Sequence, residues 1–166
     1  MPSNLPNKND AIDLLVADHE AADKLFKKYQ KLRTADAPAV ERAALAEKIC
    51  LDVKVHLQIE EDIFYPALKG KIEDAMLAEA YVEHNGAKDL VKQITGMDAD
   101  DELFDAKVTV LGEYIRHHVE EEHSEMFPTV RKTDLDLKAL RAKLQARKEK
   151  LLEDYAYLLK TEPAAA

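Results

Sequence analysis

The sequence predicts an all-α protein: an up-down-up-down four-helix bundle with an additional C-terminal helix. Three observations predict it. Gly counts only 4 and Pro 6 among 166 residues, too few for the turns of a many-stranded sheet. Apolar residues recur at helical spacing in five long stretches. The breaks between those stretches are short, which makes sequential helices antiparallel neighbours.

Residues 1–9 read as a loose lead. Asn9 or Asp10 caps the first helix, and Asp10 and Asp13 suit its positive N-terminal end. Ile12, Leu15, His19, Ala22, Phe26 and Tyr29 share its buried face, and it fades near Arg33 before the turn-like 34–38. Pro38 fits the first turn of a second helix, whose face carries Leu45, Ile49, Val53, His56, Glu60 and Ile63. That helix is expected to stop at Tyr65, because a residue before proline avoids the helical region. Gly70 marks a connection. A third helix over 71–95 aligns Leu77, Ala80, His84, Ala87, Val91 and Ile94, with Gly96 as its cap. The acidic run 98–102 is expected to start a fourth helix, lined by Val108, Leu111, Ile115, His118 and Glu122 and ended by Pro128. The bundle thus spans 10–130. An amphipathic C-terminal helix over 131–160, capped by Thr133 or Asp134, precedes a tail over 161–166.

Composition excludes several function classes. A net charge of −9 argues against nucleic acid and anionic membranes as partners. No run reaches the ~18 uncharged apolar residues of a membrane span. The polar N-terminus has no secretory-signal pattern, and the single Cys50 suits a reducing compartment. Together these predict a cytoplasmic location.

The chemistry sits in an internal repeat. Residues 56–66 (HLQIEEDIFYP) overlie 118–128 (HVEEEHSEMFP). His56 then falls on His118, Glu60 on Glu122, Tyr65 on Phe127 and Pro66 on Pro128. His19 falls on His84 in the same manner, with Ala22 on Ala87. Residues i and i+4 share a helix face, so each His-x-x-x-Glu aims an imidazole and a carboxylate into one space. Two such helices, with one His from each of two others, supply His19, His56, Glu60, His84, His118 and Glu122 as candidate metal ligands. Four neutral imidazoles and two carboxylates suit two first-row ions.

On these residues the pattern resembles the hemerythrin/HHE cation-binding family, a four-helix bundle around a non-haem di-iron centre. The resemblance covers about 10–130, including the aromatic-Pro endings Phe64-Tyr65-Pro66 and Phe127-Pro128. It implies two Fe ions, oxo- or hydroxo-bridged, with Glu60 and Glu122 between them and the histidines as terminal ligands. Zn and Mn accept the same donor types. It also implies a small diatomic or peroxide ligand: binding or reduction of O₂, peroxide or NO. A sensing or regulatory protein without turnover is the alternative, and no motif identifies an electron donor. Two departures from the oxygen carriers argue against simple dioxygen carriage. Lys88 stands where they have a second helix-three His, and Glu122 stands at +4 where they have Asp at +5.

Neighbouring residues have plainer readings. His117 forms its own +4 pair with Glu121, but the repeat register selects His118. His123 lies opposite Glu61 and reads as exposed. Asp23 reads as a surface partner of Lys27, and Cys50 as core. Glu121 and Glu125 suit a solvated flank, with an accessory ligand or proton relay as the sharper role. Tyr114 and Tyr81 lie near the site histidines and are kept as accessory candidates. The stripe Leu137, Leu140, Leu144, Leu151, Tyr155 and Leu158 packs on its own bundle or forms a homodimer.

Overall fold

Among the described residues, six helices wrap one interior and a seventh straps its side. The computed structural model describes residues 9–161. The predicted lead and tail lie outside these residues, apart from Asn9 and Thr161. The helices are α1 (Ala11–Thr34), α2 (Ala39–Ile59), α3 (Tyr65–Leu68), α4 (Asp74–Thr95), α5 (Phe104–Glu121), α6 (Phe127–Arg131) and α7 (Leu137–Thr161). Two π-helical segments, Glu60–Phe64 and Glu122–Met126, join α2 to α3 and α5 to α6. Helix α1 packs on α2 and α5, α4 packs on α5 and α2, and α7 lies across α1 and α2. No helix is long and apolar enough to cross a membrane among the described residues.

Asp10 caps α1 with a full box: its Oδ1 accepts from Asp13 N at 3.0 Å, and Asp13 Oδ2 accepts from Asp10 N at 3.2 Å. Arg131 donates to Asp10 Oδ2 at 2.7 Å and Arg141 to its carbonyl at 3.1 Å, so α6 and α7 are tied to the start of α1. The turn after α3 uses Gly70 at φ 79°, a left-handed conformation that costs glycine little.

Four boundaries differ from expectation. The helical path does not stop at Tyr65 or Pro128. Phe64 (ψ −58°) and Tyr65 (ψ −41°) are helical, and Pro66 and Pro128 sit in the first turns of α3 and α6. Each proline follows a π segment, and a residue without an N–H is tolerated in a helix's first turn. The acidic run 98–102 does not start α5. Its carboxylates accept from nearby backbone instead, Asp98 from Asp100 N and Asp101 from Leu103 N, the usual competition between Asp side chains and helix. Asp136, not Thr133 or Asp134, caps α7, accepting from Ala139 N at 3.0 Å.

The core divides into two apolar clusters. One holds Leu15, Leu77, Ala80, Phe64, Phe127, Leu140 and Leu144. The other holds Phe26, Tyr29, Ala87, Val91, Val108 and Leu111. Along α1, α4 and α5, the histidines fall between residues of the two clusters. The C-terminal stripe is spent on this bundle, with Leu144 at 0% exposure. Tyr157 and Leu158 lie exposed at its end.

Candidate metal centre

Between the clusters lies a layer of buried polar residues: His19, Glu60, His84, His118 and Glu122, none above 6% exposed. His56 joins them from α2 with its side chain 13% exposed. All six residues singled out by the repeat therefore face one interior point. His117 points to solvent at 65% exposure, so the register that selects His118 holds.

The donor atoms fall into two groups. His19 and His56 bring their Nε2 atoms to 3.0 Å from each other, and His84 and His118 do the same. Glu60 stands between the pairs. Its Oε1 lies 2.8 Å from His56 Nε2, and its Oε2 lies 3.0 Å from His84 Nε2. Glu122 Oε1 reaches both pairs, at 3.1 Å from His118 and 3.5 Å from His19. Neither Glu60 Oε1 nor Glu122 Oε1 has a hydrogen-bond partner despite full burial. Their neighbours are close but not in line for an N–H to donate.

The opposite ring nitrogens explain the aim. His56 Nδ1 lies 3.0 Å from Asp18, His84 Nδ1 3.0 Å from Glu61, and His118 Nδ1 3.0 Å from Glu83. Each carboxylate accepts from Nδ1–H, so in the neutral ring Nε2 carries the lone pair. His19 Nδ1 meets His123 Nε2 at 2.8 Å. Such outer partners orient metal-bound imidazoles. Without positive charge, facing lone pairs and two orphaned carboxylate oxygens repel. Cations bound there would satisfy these donors, and the mixed N/O donor set suits Fe, Mn or Zn. Protons are the other remedy. Burial pushes His56 down, but Glu60 and Asp18 outweigh it and hold it at about 10. Burial likewise opposes Glu122, Glu60 and Glu83 at His118, which ends at about 12. Glu60 is held well below the usual carboxylate range, since His56, His118 and His19 overcome its burial.

Sequence reasoning missed five participants. Asp18, Glu61 and Glu83 carry no signal of their own in the sequence, because their role depends on which imidazole lies across the bundle. His123 is exposed as expected yet still reaches His19. Tyr65 is the largest omission. Its hydroxyl lies 3.0 Å from Glu60 Oε2, 3.0 Å from His84 Nε2, 3.2 Å from His118 Nε2 and 3.4 Å from Glu122 Oε2. In an unbroken α-helix Tyr65 would sit ~140° around from Glu60. The π segment, with Tyr65 N–H donating to Glu60 O, puts residue i+5 back on the same face. The second π segment does the same for Phe127, whose ring stacks on His19 at 6.0 Å between centroids. The repeat is thus asymmetric: a phenol beside His84 and His118, a phenyl beside His19.

The accessory candidates lie elsewhere. Tyr114 is half exposed and packs over Gly86. Tyr81 is 38% exposed and touches the site only through the Tyr65 ring. Glu121 pairs with His117 at 3.0 Å, and Glu125 is exposed. Both line a cleft above His118 and Glu122 without joining the central group. Asp23 pairs with Lys27, and Cys50 is buried core, as expected. Lys88 pairs with Glu61, the acid that holds His84.

Two clefts reach the centre. One, lined by acids, opens over His118 and Glu122. The other, with Phe26, Gly112, Ile115 and Val119 in its wall, opens over His19 and His123.

A family model described as the hemerythrin HHE cation binding domain matches residues 10–130. An uncharacterized protein of Mycobacterium tuberculosis is 25% identical over 159 residues, 94% of this chain and 96% of that protein. A DNA nickase of Nostoc sp. is 24% identical over 81% of this chain, but over only 40% of its own length. A crystal structure of a hemerythrin HHE cation binding domain-containing protein from Mycobacterium kansasii superposes with a TM-score of 0.76 and 26% identity. It covers 92% of this chain and 93% of that one.

Proposed function

Because the chain belongs to the hemerythrin HHE cation-binding family, and is thereby a metal-binding protein of hemerythrin type, we propose that its centre takes two iron ions and binds or reduces a small oxygen species. The observation that carries this reading is Glu60: one buried carboxylate with an oxygen toward each pair of imidazoles. His19 and His56 would hold one ion, and His84 and His118 the other. Glu60 and Glu122 would be shared, with the Tyr65 phenol beside the second. Bound as a ferrous pair, iron supplies two electrons to a small oxidant.

The chain's own residues supply orientation and access. Asp18, Glu61 and Glu83 fix three imidazoles so that only Nε2 faces inward. Tyr65 carries a proton on an oxygen that touches both carboxylates, so it can donate to whatever anion forms there. The apolar cleft at Phe26 and Ile115 admits a small neutral molecule to the His19 side. Lys88 is committed to Glu61, which leaves this site leaner in imidazole than the oxygen carriers. That favours O₂, peroxide or NO reduction over reversible carriage.

The test is metal analysis of anaerobically prepared protein, followed by its optical spectrum with peroxide added. Two irons per chain, near-ultraviolet charge-transfer bands and catalytic peroxide loss are expected. Zinc content, or stoichiometric binding without turnover, overturns the redox reading.

One observation favours the sensing alternative. Lys148 on α7 donates to Asp18 at 2.6 Å, and Asp18 holds His56. Occupancy at His56 is thereby linked to α7. Metal-dependent association of a partner with α7, without turnover, would select this second reading.

A further inference from the structure

A second group of metal-ligating side chains stands at the acidic cleft, which Glu83 and Glu121 line. Glu83, His117 and Glu121 bring one donor atom each to within 4.8 Å of one another. His117 Nε2 lies 3.0 Å from Glu121 Oε1 and 3.5 Å from Glu83 Oε2. Donors bound to one transition ion at ~2.0–2.2 Å stand this far apart. His117 is exposed at 65%, so the group opens to solvent.

Two acidic side chains and an imidazole on a surface would mean little by themselves. Here two of the three, Glu83 and Glu121, line a cleft that also includes His118 and Glu122. Glu122 is 1% exposed, and its Oε1 is a buried oxygen with no hydrogen-bond partner. Glu83 joins the two levels: its Oε1 holds His118 Nδ1 at 3.0 Å while its Oε2 faces His117. Glu79 and Glu125 complete the wall with Met76, Ala80 and Met126. The cleft over His19 is apolar by comparison, and no such three-donor group is found there among the described residues.

We infer that Glu83, His117 and Glu121 form an entry site for divalent transition-metal cations, which bind weakly at the rim before passing to the buried centre. The inference rests on the metal-centre reading above and adds its loading route. A hydrated ion approaching the cleft exchanges water for the His117 imidazole and two carboxylate oxygens. Glu122 lines the same cleft, and its orphaned oxygen faces His118 and His19 of the buried centre. Glu83 keeps His118 oriented throughout, because the two tasks use different oxygens.

The experiment uses the full chain stripped with chelator and then mixed with Co(II), whose visible absorption reports entry into the His/Glu centre. The variants are His117→Ala, Glu121→Gln and both together, with Glu20→Gln in the opposite cleft as control. Wild type, control and double variant should reach the same final Co(II) occupancy of the buried centre, read by its visible absorption. The double variant should load about tenfold more slowly at low salt, with a flatter salt dependence, as lost electrostatic focusing requires. Equilibrium dialysis of Co(II)-loaded wild type against Mn(II) should find one further weak ion that the double variant lacks. Loading by the double variant within twofold of wild type overturns the inference. So does a wild type that binds no further ion, or a double variant whose buried centre fills to a lower final occupancy. If wild type itself takes up no Co(II) at the buried centre, the metal-centre reading falls as well, which separates the two failures.

Discussion

Loading the centre should expel protons, and their number follows from the geometry. In the metal-free protein His56 is held at about 10 and His118 at about 12, so both are imidazolium at pH 7. An ion at Nε2 needs the neutral ring. Filling both halves should therefore release about two protons per chain at pH 7. Affinity should climb about tenfold per pH unit for each proton displaced. The sign for stability runs with the direction of each shift. A His raised above its ordinary 6.5 stabilises the metal-free fold fully below that pH, and the contribution is lost as pH rises through 10 at His56. Glu60 is depressed, so its contribution is present above the ordinary 4.5 and disappears as acid protonates it. The metal-free protein should thus weaken as pH climbs towards 10, while the loaded protein should not. The assay is anaerobic titration with Fe(II) or Zn(II) in weak buffer with a pH indicator, with denaturant melts at several pH values. Release of fewer than one proton per filled centre would refute the charge balance proposed for the interior.

Further outcomes follow from the same contacts. Saturating metal should raise the melting temperature by about 8–16 °C, since a thousandfold excess over Kd stabilises by ~4 kcal/mol and a chain this size gains about 2–4 °C per kcal/mol; differential scanning calorimetry with and without chelator checks it. Asp18→Asn should weaken the His19/His56 half by about 10–100-fold, and Glu61→Gln the His84/His118 half, read by equilibrium dialysis of each variant. Tyr65→Phe keeps the ring but removes a hydroxyl with four polar neighbours. It should cost about 1 kcal/mol of stability and lower peroxide turnover while leaving the metal count at wild-type level. Leu144→Ala should cost about 2–5 kcal/mol in urea unfolding, because Leu144 is fully enclosed between α7 and the bundle.

The sequence alone determined the helical class and the six inward donors, because both rest on local periodicity. A His four residues before a Glu shares its face in any α-helix, and a repeat that places His56 over His118 also settles the choice against His117. Helix ends were less legible. The acids at 98–102 satisfy backbone groups in turns as readily as they start a helix, and which they do depends on where Phe104 packs. Tertiary structure alone decided what surrounds the donors. Asp18, Glu61 and Glu83 become partners of imidazoles only once neighbouring helices are side by side, and no spacing along one helix records that. Tyr65 entered the centre for a related reason. The π segment changes the angular step over Glu60–Phe64, so a rule built on 3.6 residues per turn points its ring the wrong way.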